Sequence, residues 1–372
     1  MKNLKLIVVM IATVFLGATF DPNHPQEDRG APVPSQKNQY LGSCSGYHVL
    51  IDPLGSKAPG FGWEWTVNYR YIPMSKPGKI TIWHFFSPDC HHCEVEMPAL
   101  DAFYRVHKNE VHLIAFGVGQ NNHRKALAEY RKKQRLSMNI LPQDEVDVNS
   151  PAFVMGVFVP HLIGNGPEGY WESSIPVTFI IDQEGIVRFI IRRRGDWSDT
   201  SLESIFIQEL TGKQDAASRD LEEYLTAMKD RPANDQNSAA WTMAVSQYHL
   251  EEAKGLAERA VAQEQDNPFY LGTLGTIQYL FGEYDEALVT LEKAIALHSD
   301  DDPKAVDTFY LGLTYFAQGD YCNAKRFLTK SLELDDNSAY AVYAIGVLID
   351  MERMEVGLGT CLHQTESKPI SL

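Results

Sequence analysis

The sequence predicts a two-part protein, an α/β domain followed by an all-α domain of repeated helix pairs. Three observations carry this. Apolar runs at 80–86, 111–118, 177–182 and 186–192 alternate with helix-length segments in the order β-α-β-α-β-β-α. Beyond Gly212 such runs stop. Small residues then recur from about residue 234, first after 34 residues and then after 37, the mark of stacked helical units.

Length and composition agree with this division. At 372 residues the chain suits two domains, and a hydrophobic content of 44% gives each a core. The net charge of −16 is uneven, because residues 213–372 carry 13 Lys/Arg against 27 Asp/Glu, a net of −14. That acidity excludes nucleic acid and anionic lipid as partners for the C-terminal half, and fits a solvated helical surface.

Residues 1–20 open with Lys2 and Lys5 and then run uncharged from Leu6 to Ala18. About a dozen apolar residues behind two lysines suit a secretory signal or a short N-terminal anchor better than a spanning helix of about 20. The chain is therefore expected to be exported to a periplasmic or other extracytoplasmic space where disulfides persist, meeting a membrane only through that segment. Residues 21–60 hold six prolines among glycines and polar residues and read as a flexible lead-in. Trp63 and Trp65 mark where order begins, with an extra strand.

Within 61–212, Ile80–Phe86 is expected as a strand and His91 to about Lys108 as a helix broken by Pro98. Val111–Val118 is a second strand and Arg124–Arg135 a basic helix. Leu141–Ser174, rich in Pro and Gly, is irregular. Val177–Asp182 and Ile186–Arg192 form a hairpin about Gln183-Glu184-Gly185, and Ser201–Leu210 closes the domain as a helix. The pattern predicts helices on both faces of the sheet.

Residues 213–233 read as a linker and 234–372 as the repeats. Ala253 and Ala260 return as Ala287 and Ala294, then as Ala324 and Ser331. Leu274-Gly275 returns as Leu311-Gly312. The units fall at about 234–267, 268–301 and 305–338, with a fourth first helix around Ile345-Gly346. In the first unit Trp241 stands where the glycine belongs. This period with these small residues resembles the tetratricopeptide repeat, which implies a concave surface for a peptide or protein partner.

The chemistry is written at Cys90-His91-His92-Cys93, directly after the first strand. Two cysteines spaced by two residues at a strand–helix junction form a dithiol–disulfide switch, since the helix N-terminus favours a thiolate and the second sulfur can resolve a mixed disulfide. Cys90 is outermost and would attack, while Cys93, one turn in, would resolve. Two other readings stand beside it. His84, Cys90, His91, His92 and Cys93 are soft ligands suited to copper or zinc, and Ser87, three before Cys90, admits a peroxidase. Cys44, Cys322 and Cys361 remain, with a Cys322–Cys361 bridge one option.

The strand–Cys-x-x-Cys–helix unit, Glu96-Met97-Pro98, Ile175-Pro176-Val177-Thr178 and Phe179–Gly185 together resemble the TlpA/ResA-like branch of exported thioredoxin-fold thiol–disulfide oxidoreductases. The resemblance implies a thioredoxin-like fold and a protein thiol or disulfide as substrate, with a redox partner protein and no organic cofactor. It implies that Pro176 is cis and aligns the substrate backbone, that His92 tunes Cys90, and that Glu96 accepts the proton of Cys93. The reducing direction is slightly favoured by the resemblance. His92 leans the other way, and Asp89, where the branch usually has Trp, opposes His92 by disfavouring the Cys90 thiolate. The Asp196-Trp197 pair reads as a packing corner.

Overall fold

The computed structural model describes residues 54–55, 58, 63–118, 123–142, 175–191, 194–299, 304–335 and 339–353. The expected signal segment, most of the lead-in, the Leu141–Ser174 loop beyond residue 142, Cys44 and Cys361 lie outside them. Among the described residues no helix is long and apolar enough to cross a membrane.

The first part opens with a small hairpin of β1 (Trp63–Trp65) and β2 (Tyr71–Pro73), paired antiparallel. A five-stranded sheet follows, built from β3 (Ile80–Phe86), β4 (Val111–Gly117), β5 (Asn139–Leu141), β6 (Val177–Ile181) and β7 (Val187–Ile191) in the spatial order β5-β4-β3-β6-β7. β3, β4 and β5 run parallel, whereas β6 and β7 run antiparallel to their neighbours. All seven residues of both β3 and β4 are buried, as befits strands covered on both faces.

The connections are α1 (His91–His107) and α2 (Arg124–Lys133), and α3 (Leu202–Leu210) closes the sheet. Right-handed crossovers from β3 to β4 to β5 place α1 and α2 on one face. Phe86 meets Tyr130 of α2 there at 5.5 Å, and Phe189 stacks on Phe206 of α3 at 4.1 Å. The opposite face carries Trp83, Phe85, Phe116 and Phe179. This sheet order, with cysteines at the end of the central strand and a cis Ile175–Pro176 bond before β6, is the thioredoxin-like fold.

Two local expectations need revision. α1 runs through Pro98 as one helix. The lost N–H and the ring cost about 3 kcal/mol, but Cys93, Met97, Leu100 and Phe103 on the same helix are all buried and hold it on the sheet. β5 falls where the periodicity indicated no strand; three residues show no pattern of their own and become a strand by pairing with β4.

The helical part begins earlier than the repeat does. Residues 213–233, read as a linker, contain α4 (Gln214–Met228), a 15-residue helix with Ala217 and Leu221 buried. Then come the pairs α5 (Ala233–Val245) with α6 (Leu250–Gln263), α7 (Pro268–Phe281) with α8 (Tyr284–Leu297), and α9 (Ala305–Ala317) with α10 (Tyr321–Leu334), ending in α11 (Ala339–Arg353). Gly275 and Gly312 lie where the helices of a pair come closest. A Cβ there would sit 2.6 Å from Leu291 Cγ and 2.8 Å from Leu328 Cγ respectively.

The two parts belong to one compact unit and share one apolar core, which runs from Val67 to Ile277. Tyr248, just after α5, packs edge-on against Phe189 at 5.0 Å and Phe206 at 4.5 Å.

Candidate active site

Cys90 is the N-cap of α1, with extended backbone (φ −87°, ψ 115°), and its Sγ accepts a hydrogen bond from the Cys93 N–H at 3.2 Å. An N-cap atom satisfies one of the orphan N–H groups of the first turn, so a negative sulfur is favoured there by both the bond and the helix dipole. Cys90 and Cys93 are joined as a disulfide. Both residues are buried, Cys90 at 4% exposure and Cys93 at 0%. The Ile175–Pro176 peptide is cis, and the Ile175 carbonyl oxygen lies 3.8 Å from Cys90 Sγ. Ile175, the residue before Pro176, thus meets Cys90 although 85 positions separate them.

The remaining expected residues divide. Glu96 is buried, at 1% exposure, on the same stripe of α1 as Cys93. Its Oε1 accepts from the Gly195 N–H at 3.0 Å and the Trp197 Nε1–H at 2.7 Å. His92 is exposed in the first turn with its ring 6.0 Å from that of His91. Asp89 is exposed as well, and its N–H donates to Ser87 Oγ at 3.2 Å.

The five-residue ligand set does not assemble. His84 is fully buried in β3, with Nδ1 2.9 Å from Thr178 Oγ1, whereas His91 and His92 face solvent. Burial holds the His84 imidazole far below its usual value, at about 3. Among the described residues no group of three or more His, Cys, Asp or Glu is placed to hold a metal ion. Cys322 is disulfide-bonded, and its partner lies outside the described residues.

Trp197 is the site residue the sequence reading missed. It does pack as a corner, against Phe103 at 5.4 Å, but its indole N–H is spent on Glu96. A buried carboxylate requires donors, and tryptophan combines a large apolar body with one N–H. The Gly-x-Trp after the second hairpin strand was the available signal. Gly195 must be small, because a Cβ there would stand 2.7 Å from Trp197 Nε1 and 3.0 Å from Glu96 Oε1.

Several solved structures resemble this chain over about two-fifths of its length. StoA from Bacillus subtilis is 20% identical, covering 37% of this chain and 94% of that one at a TM-score of 0.29. A thioredoxin-family thiol:disulfide interchange protein from Chlorobium tepidum TLS is 22% identical, covering 39% and 93% at 0.30. A secreted disulfide oxidoreductase of Mycobacterium tuberculosis is 16% identical, covering 42% and 96% at 0.28. No family model matches the chain, and no curated protein matches it.

Proposed function

We propose that this protein is an exported thiol–disulfide oxidoreductase acting on protein thiols and disulfides. The observation that carries the reading is the Cys90–Cys93 disulfide at a helix N-terminus, facing the carbonyl that precedes cis-Pro176. In the reducing direction, which is slightly favoured, the Cys90 thiolate attacks one sulfur of a substrate disulfide, the substrate S–S bond breaks with the first sulfur leaving as a thiolate, and a mixed disulfide forms. Cys93 then attacks Cys90 Sγ, the Cys90–Cys93 bond forms, and the second substrate sulfur leaves as a thiolate. Two electrons pass from the dithiol to the substrate, and a redox partner protein restores the dithiol.

The Ile175 backbone aligns the substrate chain beside Cys90. Glu96, one turn beyond Cys93 on the same stripe, takes the proton of Cys93 as it attacks. His92 tunes the acidity of Cys90 from the first turn of the helix. No organic cofactor is required. The helix pairs act as tetratricopeptide-type repeats that recruit a protein partner, held by the shared core at a fixed place relative to the disulfide.

Insulin-disulfide reduction by wild type and Cys90→Ser, with the reduction potential of the pair, tests this. Turnover lost in Cys90→Ser and a mixed disulfide trapped with Cys93→Ala support it. Wild type without dithiol-dependent turnover, or with Cys93 alkylated before Cys90, overturns it.

A further inference from the structure

We infer that Trp197 and Gly195 are positioning residues for proton transfer from Cys93. The inference rests on the oxidoreductase reading, with Glu96 as acceptor. Both donors reach the same oxygen of a carboxyl group that is almost fully buried. Burial disfavours a charged carboxylate, and hydrogen bonds donated to it favour the charged form and oppose that effect. A proton acceptor has to be ionised before the proton arrives, so these two donors set the pH above which Glu96 can act. They also fix where the carboxyl points, because the indole is clamped by Phe103 and Gly195 admits no side chain.

The step affected is the second of the two. When Cys93 attacks Cys90 Sγ in the mixed disulfide, its S–H proton passes to Glu96, the Cys93–Cys90 bond forms and the substrate thiolate departs. The first step, attack by Cys90, uses no group on the 194–197 segment. Titratable groups on the surrounding elements include Cys93 and His107 on α1, the latter stacked on Phe103 at 4.3 Å, His84 on β3, Glu203 on α3 and the exposed Arg194 and Asp196 of the segment itself.

The test uses the reduced full-length protein and 5,5′-dithiobis(2-nitrobenzoate), which releases one thionitrobenzoate on attack by Cys90 and a second on resolution by Cys93. Trp197→Phe keeps the ring and removes the donor. The acid limb of the second phase is expected to move up by about one pH unit, a tenfold slowing at the foot of the limb, while the first phase is unchanged. Gly195→Ala is expected to do the same. Phe206→Leu, a core change where α3 packs on Phe189 and Tyr248, is expected to leave the limb in place, and thermal melts identify any variant that fails to fold. An unmoved limb in folded Trp197→Phe, or an equal displacement in Phe206→Leu, overturns the inference. Wild type that releases no second equivalent instead defeats the oxidoreductase reading itself.

Discussion

Ser246 closes the open edge of the sheet on Ile190: its Oγ accepts from the Ile190 N–H at 3.1 Å and donates to the Ile190 carbonyl at 3.3 Å. β7 is an edge strand, and an unpaired edge is a template for association with other chains. A side chain from the end of α5 here takes the place of a neighbouring strand at one residue. Leaving a buried N–H and carbonyl unpaired costs about 1–3 kcal/mol, so Ser246→Ala is expected to lose that much in denaturant titration. No loss would mean that other contacts satisfy Ile190.

Because the core is continuous across this edge, the two parts are expected to unfold together. Far-UV dichroism, dominated by the helical stack, and near-UV dichroism of the sheet aromatics should give superimposable melts. Two separated transitions would establish a loose tether between the parts. Tyr248→Ala, which opens the Phe189–Phe206–Tyr248 cluster, should split a transition that is single in wild type.

Asp101 ties α1 to the start of β5. Its Oδ1 accepts from Ser137 N–H and Met138 N–H, each at 2.7 Å, and from Ser137 Oγ–H at 2.9 Å, while Oδ2 meets Arg105 at 2.5 Å. Asp101→Ala leaves two backbone donors without their acceptor and should cost roughly 2–4 kcal/mol by the same reasoning. Asp101→Asn retains one oxygen and should cost less. Equal losses would assign the effect to the Arg105 pair, which is exposed on the arginine side and worth little.

What the sequence made legible follows from how many residues carried each signal. β3 announced itself by seven residues ending at the cysteines, and the helix pairs by small residues that their close packing requires, such as Gly275 and Gly312. α4 was hidden because only Ala217 and Leu221 of its fifteen residues are buried, too narrow a stripe for a periodic pattern. At the site, Cys90 and Cys93 stood out by their spacing at a strand–helix junction, and Pro176 through the family resemblance. Trp197 and Ser246 did not, since both act through a hydrogen bond to a residue distant in the chain, 101 positions away for Glu96 and 56 for Ile190.

Two buried histidines give the fold an acid limb. Burial lowers His84 to about 3 and His112 to about 4, the latter against an opposing hydrogen bond between Nε2 and the Pro73 carbonyl at 2.7 Å. In the unfolded chain each titrates near 6.5. A depressed folded value means that the unfolded state binds protons first as pH falls. Stability is therefore complete above about 6.5 and declines between there and the folded values. Each pH unit of that interval is worth on the order of 1.4 kcal/mol per histidine, so the loss reaches several kcal/mol. His249, raised mainly by its hydrogen bond to Glu209, acts in the opposite sense, stabilising at low pH and losing that contribution as pH rises through its folded value. His84→Asn should be less stable than wild type at pH 7 and lose less between pH 7 and 4.5. Parallel losses for the two proteins would remove His84 as the source.

The inner seam of each helix pair offers a test of packing that needs no knowledge of function. In the second and third pairs glycine on the first helix faces leucine on the second, Gly275 with Leu291 and Gly312 with Leu328, and both leucines are fully buried. In the first pair the equivalent positions hold Trp241 and the fully buried Ala257, so large and small are exchanged. Gly275→Ala drives a methyl into Leu291 and should cost about 1–3 kcal/mol through overpacking. Leu291→Ala empties the same space and should cost about 2–5 kcal/mol. Combined, the new methyl occupies part of the void left by the leucine, and the double variant should be more stable than the sum of the single losses by about 1 kcal/mol or more. Strict additivity in a double-mutant cycle would mean that the two positions do not share one packing site.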